Sequence, residues 1–176
     1  MNRKLALFIA TSLDGYIAGP NDDLSFLSTV EQEGEDYGYA DFTKDVDTVI
    51  LGRRTYDKVM SMGIPFPYAD KKTYIITRTP QPKQGLINFY TGDLKTLVDE
   101  FKQQEGKTIF CDGGAQVVNL LLQHNLIDEI TLSVIPVLLG DGTRLFNNEF
   151  NMHNLSLIST KSYPKGLVQM HYKILK

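Results

Sequence analysis

The sequence predicts an α/β fold: a mostly parallel sheet that ends in an antiparallel C-terminal hairpin. Apolar, strand-like runs alternate with segments of helical periodicity over the first two thirds of the chain, which is typical of parallel strands joined by helices. The last third holds only strand-like runs, and these can pair as a hairpin without a crossover. At 176 residues, the chain has the length of one domain, so we expect residues 1–176 to form a single domain.

The first predicted strand, residues 5–13, is apolar with little polar alternation, which favours a central strand covered on both faces. Residues 22–36 are acidic and weakly patterned, and we expect them to form the most mobile loop. A helix over about residues 36–44 and an apolar strand over residues 46–51 follow. Gly52 is predicted to terminate this strand.

The alternation continues with a helix over residues 53–62, where Tyr56, Val59 and Met60 recur at three- and four-residue spacing. Asp93 is a good N-cap residue for a further helix. The later elements are predicted as strands over residues 73–77, 87–90 and 108–111, helices over 93–104 and 115–123, and strands over 129–139, 155–163 and 167–175. The segment Tyr163-Pro164-Lys165-Gly166 is predicted to be the hairpin turn between the last two strands.

The composition excludes several classes of protein. A net charge of −3 gives no long-range field toward nucleic acid or anionic lipid. The apolar runs are too short to span a bilayer and no export signal is visible, so we expect a cytoplasmic protein. The single cysteine, Cys111, cannot form an internal disulfide. The three histidines lack metal-ligand spacing, so no metal site is predicted.

Two segments share one design: an apolar strand, a glycine at its carboxyl end, and a helix that begins at once. They are residues 49–55 and 109–116. In open α/β sheets, ligands bind outside the carboxyl ends of strands, and helix amino termini attract phosphate. Ordinary turns that bind nothing also carry glycine, so either turn alone is ambiguous; together they suggest a cofactor with a diphosphate.

Arginines strengthen this interpretation. Arg53 and Arg54 stand at a helix start, where a cation faces the unfavourable end of the helix dipole unless an anion is bound. Thr77 and Arg78 end the next predicted strand and add a hydroxyl and a third cation. Such a cluster suits the 2′-phosphate of NADP, although any one of these arginines is more simply a solvated side chain.

Six segments together point to a family: residues 12–18 (SLDGYIA), 51–56 (LGRRTY), 74–78 (YIITR), 112–114 (DGG), 126–129 (LIDE) and 136–146 (PVLLGDGTRLF). In this order they resemble the dihydrofolate reductase-like superfamily, and most closely the branch that includes the reductase domain of riboflavin biosynthesis. The resemblance covers nearly the whole chain. It implies a three-layer fold, with helices on both faces of a mixed eight-stranded sheet.

The resemblance also implies NADPH as hydride donor and a small-molecule substrate. By position, the residues at the adenosine end and phosphates would be Gly52, Arg53, Arg54 and Thr55, with Thr77 and Arg78 beside the 2′-phosphate. The diphosphate would be held by Gly113, Gly114, Ala115, Gln116 and Val117, and the Gly113–Gly114 peptide is expected to be cis. Ala10 and Ile17 would lie near the nicotinamide.

Departures from the folate-reducing pattern bear on the substrate. The chain has no Trp, and Lys71 stands where folate reducers place an arginine for the substrate's carboxylate. Asp112 corresponds to an acidic position of the riboflavin branch. A carboxylate can accept the N–H groups of an aminopyrimidine or pterin-like ring, so Asp112 and Lys71 are the predicted substrate contacts. A helix N-cap is an equally good interpretation of Asp112.

The resemblance places the proton-donating carboxylate on the helix after the mobile loop, where Asp36 and Asp41 are the candidates. Burial beside a cofactor would raise the pKa of such a group, but acidic residues at a helix start also simply complement its dipole. We expect an NADPH-dependent reductase of a pterin-like or ribosylaminopyrimidine-like substrate. A catalytically inactive nucleotide-binding module of the same fold is the alternative. The apolar C-terminal strands, and the dimers known in this branch, suggest a homodimer.

Overall fold

The computed structural model describes residues 3–176, which form an eight-stranded sheet in the order β5-β4-β3-β6-β1-β7-β10-β9. The strands are β1 (Leu5–Ser12), β2 (Tyr16–Ala18), β3 (Val46–Gly52), β4 (Lys72–Ile76), β5 (Ile87–Tyr90), β6 (Thr108–Gly113), β7 (Glu129–Ile135), β8 (Thr143–Arg144), β9 (Asn154–Ser162) and β10 (Val168–Leu175). The helices are α1 (Tyr39–Lys44), α2 (Arg53–Ser61), α3 (Leu94–Gln103) and α4 (Ala115–Gln123). The short β2 and β8 pair separately as a two-stranded sheet.

The sheet is parallel from β5 to β7, and β1 is central, between β6 and β7. Leu5 and Leu7 are fully buried, as the apolar run of this strand predicts. β10 runs antiparallel to both β7 and β9. The predicted fold class, with a mostly parallel sheet and an antiparallel C-terminal hairpin, is therefore confirmed.

Helices cover both faces of the sheet. On one face, α3 and α4 bury residues such as Val98 and Leu121 against Ile109. On the other, Tyr56 of α2 packs with Phe110 in a second cluster, and α1 adds partly buried aromatic side chains. In the described part of the chain, no helix is long and apolar enough to cross a membrane.

The structure differs from the predictions in two regions where local signals are weak. α1 covers only Tyr39–Lys44 because Gly38, directly before it, adopts a left-handed conformation with φ 79°. Asp36 accepts hydrogen bonds from the backbone N–H groups of Gly38 and Ala40 in the turn that leads into the helix. The acidic segment before it contains a 3₁₀ helix, Ser25–Val30, that buries Phe26 and Val30. β7 ends at Ile135 rather than residue 139.

Asp14 fixes the loops at one end of the sheet. Its carboxylate accepts hydrogen bonds from the Ser12 hydroxyl at 2.6 Å and from the backbone N–H of Gly140 at 2.7 Å. The Ser12 hydrogen bond, followed by those from Gly140 and Leu139, lowers the pKa of Asp14 to about 2. The turn after β1 is thereby joined to residues 139–140, far along the sequence.

Candidate active site

The carboxyl ends of β3 and β6 lie side by side at one edge of the sheet, with Leu51 opposite Gly113. α2 starts directly after β3, and only Gly114 separates β6 from α4. The Gly113–Gly114 peptide is cis. The two turns pack so closely that a Cβ added to Gly114 would lie 3.0 Å from Oγ1 of Thr55. The two segments that share a design in the sequence are therefore brought together.

Neither helix start at this edge is capped by a side chain within residues 3–176. The N-cap residues are Gly52 for α2 and Gly114 for α4. By contrast, α3 is capped by Asp93, which accepts a hydrogen bond from the backbone N–H of Thr96 at 2.7 Å. Two neighbouring helix starts thus offer free N–H groups and partial positive charge, the arrangement that binds phosphate groups.

Arg53 and Arg54 begin α2, and each guanidinium has a carboxylate partner. Arg54 donates to both oxygens of Asp22, at 2.9 and 2.8 Å. Arg53 donates to Asp57 at 2.7 Å. The Arg54 side chain is 76% exposed. Exposed pairs contribute little to stability, so a phosphate can replace such a carboxylate at low free-energy cost.

The other predicted cofactor residues lie at the same edge. Thr77 and Arg78 follow β4, the strand next to β3. The Thr77 hydroxyl accepts a hydrogen bond from the backbone N–H of Thr79 at 3.2 Å, and Arg78 is exposed. The first turn of α4 consists of Ala115, Gln116 and Val117.

A cavity of about 520 Å³ opens beside this edge, on the sheet face that α1 borders. Its lining includes Phe8 and Ala10 of β1, Ser133 of β7 and Tyr39 of α1. The volume is typical of small-molecule sites. Of the two residues expected near the nicotinamide, Ala10 therefore lines the cavity, whereas Ile17 packs against the core cluster on the opposite face.

A hydrogen-bonded tyrosine pair connects this cavity to Asp112. The hydroxyl oxygens of Tyr39 and Tyr68 are 2.9 Å apart, and Tyr68 is buried. The hydroxyl of Tyr68 in turn interacts with the carboxyl group of Asp112. Burial raises the pKa of Asp112 to about 7, and the Tyr68 hydroxyl opposes that shift. A carboxyl group that titrates near neutral pH thus stands next to the glycine turn.

This arrangement bears on the two interpretations of Asp112, as a contact to the substrate and as the N-cap of α4. Its side chain does not cap α4, whose N-cap is Gly114. It is also absent from the lining of the cavity, which Tyr39 reaches instead. The geometry therefore does not support the N-cap interpretation, and contact of Asp112 with a bound substrate stays a prediction.

Of the two carboxylates considered as proton donors, Asp36 lines the cavity and Asp41 does not. Asp36 lines the rim of the cavity, but it is exposed, and the N–H groups of Ala40 and Gly38 hold its pKa below the usual value. Asp41 is 83% exposed and pairs with Lys44 at 2.5 Å. Asp36 is therefore a poor proton donor at neutral pH, and Asp41 does not line the cavity.

Lys71 is not brought to this site. It lies directly before β4, at the amino end of a strand whose carboxyl end carries Thr77. There it lines a second cavity of about 510 Å³ together with Asp47 and Lys107. Lys71 and Asp112 therefore lie at opposite ends of the parallel strands, Lys71 at the amino ends and Asp112 at the carboxyl ends.

Tyr39 and Tyr68 were not among the site residues predicted from the sequence. They are 29 residues apart and meet only in the folded chain. The one available signal was the aromatic content of both segments, which is as typical of a core as of a site. The need of a buried hydroxyl for a polar partner becomes visible only once burial is known.

Comparisons with known proteins identify the family. Residues 3–169 match the RibD C-terminal domain. The chain is 42% identical over 173 residues to the "Uncharacterized protein YwjB" of Bacillus subtilis (strain 168), with 98% of each chain covered. It is also similar to a solved structure from Shewanella sp. PV-4, described as a "Putative riboflavin biosynthesis protein", at 29% identity and a TM-score of 0.87 over 100% of both chains.

A more distant similarity in fold extends to a dihydrofolate reductase. The dihydrofolate reductase of Enterococcus faecalis, solved in complex with NADP(H), has a TM-score of 0.67 over 100% of both chains. Its sequence identity of 16% shows a common fold and no more. The resemblance read from the sequence is confirmed: the protein has the dihydrofolate reductase-like fold, and its chain belongs to the RibD C-terminal domain family.

Proposed function

We propose that this protein is an NADPH-dependent oxidoreductase that reduces a C=N or C=O bond of a pterin-like or ribosylaminopyrimidine-like substrate. The observation that carries the proposal is the pair of uncapped helix starts at Gly52 and Gly114, which pack together at the same end of the sheet as a cavity over the carboxyl halves of β1 and β7. The family has a reductase fold, which agrees with this activity.

The residues at the sheet edge fit NADPH. The free N–H groups of α4 suit its diphosphate, and the arginines at the start of α2 suit its phosphates, with Thr77 and Arg78 for the 2′-phosphate. When bound, the cofactor supplies a hydride to the substrate carbon. Ala10 lines the cavity and would fix the position of the nicotinamide ring.

The cavity suits an aromatic ring with polar edges. Apolar side chains such as Phe8 and Ile135 provide surface for stacking and packing, and Ser133 provides a hydroxyl group. Polar side chains of the lining, among them Gln32, Glu35 and Tyr39, supply hydrogen-bonding groups. A heterocycle that carries N–H and C=O groups matches this mixture of apolar and polar side chains.

Steady-state oxidation of NADPH tests the proposal, with dihydrofolate and 5-amino-6-(5-phosphoribosylamino)uracil as substrates. We expect substrate-dependent loss of nicotinamide absorbance with at least one of them. Binding of NADPH without turnover of any pterin or aminopyrimidine would favour the inactive nucleotide-binding module instead.

We also propose that the protein is a homodimer. β9 is an edge strand of the sheet and is exposed along its whole length. Leu155, Leu157 and Ile158 are 45%, 54% and 50% exposed. An edge with unpaired backbone groups and apolar side chains is suited to pairing with a second copy across a twofold axis.

A further inference from the structure

A reduction of this kind needs a proton as well as a hydride, and this inference rests on the proposed function. The hydride adds to the carbon of the C=N or C=O bond, and the nitrogen or oxygen must then be protonated. Asp36 is exposed, and the N–H groups of Ala40 and Gly38 hold its pKa below the usual value, so it is a poor proton donor at neutral pH; Asp41 does not line the cavity. A further ionisable group of the lining is Tyr39.

Tyr39 is placed to contact a ligand in the cavity. It lines the cavity from α1, and its hydroxyl lies 2.9 Å from the hydroxyl of Tyr68. Tyr68 is 5% exposed and packs edge-on against Phe110 and Phe66. This aromatic packing fixes the position of the Tyr68 ring, and the Tyr68 hydroxyl interacts with both Tyr39 and Asp112.

We propose that Tyr39 delivers the proton of the reduction, and that Asp112 supplies this proton through Tyr68. Tyr39 is the catalytic residue of this chain because it alone of the three lines the cavity. Tyr68 and Asp112 act through it and are positioning residues. The direct ring contact predicted for Asp112 is replaced by an indirect one.

The transfer balances without a further reactant. Hydride adds to the substrate carbon, and the π electrons move to the attached nitrogen or oxygen. That atom takes the proton of the Tyr39 hydroxyl, whose oxygen takes one from Tyr68, whose oxygen takes one from Asp112. Asp112 is left as a carboxylate and regains its proton from water. Both electrons arrive with the hydride.

The surroundings of Asp112 suit this role. The titratable groups that interact with it are Tyr39, Tyr68 and Cys111, all neutral at pH 7 because their ordinary pKa values of 10.0, 10.0 and 9.0 lie above it and burial raises each further. Asp112 forms none of the ion pairs found within residues 3–176. With a pKa of about 7, it is protonated in a large fraction of molecules under ordinary conditions.

The experiment compares the pH dependence of kcat for the wild type, Tyr39→Phe, Tyr68→Phe and Asp112→Asn with the substrate that supports NADPH oxidation. We expect the wild-type kcat to fall as the pH rises through about 7, since Asp112 then loses its proton. Each variant should lower kcat by about 100-fold or more, the usual contribution of a positioned acid, and should lose this pH dependence. The affinity for NADPH should not change.

Tyr56→Phe is the matched control, because Tyr56 is a buried tyrosine of the same aromatic cluster at 7% exposure. We expect its kcat to stay within about twofold of the wild type. A Tyr39→Phe variant with wild-type kcat and pH profile would overturn the relay while leaving the reductase assignment intact. A wild type that binds NADPH but reduces neither substrate class would instead refute the proposed function, and the relay with it.

Discussion

Arg54 has an internal partner where the cofactor phosphate is proposed to bind. Its bidentate pair with Asp22 joins the start of α2 to the segment after β2 across 32 residues. An exposed pair of this kind holds the guanidinium in place without a large free-energy gain. The arginine is thus already oriented near the helix start before an anion arrives.

Replacing Arg54 by Ala should weaken NADPH binding by roughly 10-fold or more, because a charge-assisted hydrogen bond to phosphate contributes about 1.5–3 kcal/mol. Isothermal titration calorimetry measures this directly. Lys58→Ala removes a cation from the last turn of the same helix and should change the Kd far less. Equal effects of the two substitutions would show that only general charge attraction is at work.

The hydrogen bonds of Asp14 show that the SLDG segment, residues 12–15, has a structural role. Its folded pKa of about 2 lies below the ordinary value of 3.8, so its hydrogen bonds stabilise the fold above pH 4 and this contribution is lost as the pH falls toward 2. Asp14→Asn should therefore be less stable than the wild type at neutral pH, with a difference that shrinks in acid. Urea denaturation at several pH values measures it, and a pH-independent difference contradicts it. Asp41→Asn, at an exposed position, serves as the control.

Among the elements, α3 follows local rules and α1 does not. Asp93 caps α3 at the predicted position, and α4 has the predicted bounds Ala115–Gln123. α1 is only six residues long. A helix this short depends on tertiary packing, here of Phe42 against Phe8 and Phe110, rather than on its own propensity.

Loss of the cap on α3 should be measurable as a change in stability. We expect Asp93→Ala to lower the free energy of unfolding by about 1 kcal/mol, since the backbone N–H of Thr96 loses its acceptor. Chemical denaturation measures the change. Asp99→Ala on the same helix removes only an exposed pair with Lys95 and should stay within about 0.5 kcal/mol of the wild type. A larger loss in Asp99→Ala would argue against the capping account.

For the molecule as a whole, the sequence predicted what depends on local pattern. Apolar runs and glycine stops located the eight sheet strands, and the helix starts after Gly52 and Gly114 located the edge where phosphate binding is proposed. What depends on long-range contact was missed. The pairing of β2 with β8 joins Tyr16 to Arg144, and no local pattern records that pairing. The Tyr39–Tyr68 bond, like the separation of Lys71 from Asp112, likewise follows only from the folded sheet.

The proposed dimer can be tested by a substitution in the edge strand β9. Leu157→Lys places a charge in the middle of β9 and should convert a dimer to a monomer in sedimentation velocity experiments at micromolar concentration. Leu138→Lys, at a residue that is 73% exposed and outside that strand, should leave the dimer intact. A wild-type protein that sediments as a monomer contradicts the proposal.

The most direct test of the central claim is a paired titration with NADPH and NADH, followed by nicotinamide fluorescence. We expect NADPH to bind at least about tenfold more tightly than NADH, because Thr77 and Arg78, directly after β4, are proposed to hold the 2′-phosphate. Equal affinities would contradict the role of these residues. No binding of either cofactor would contradict the reductase assignment itself.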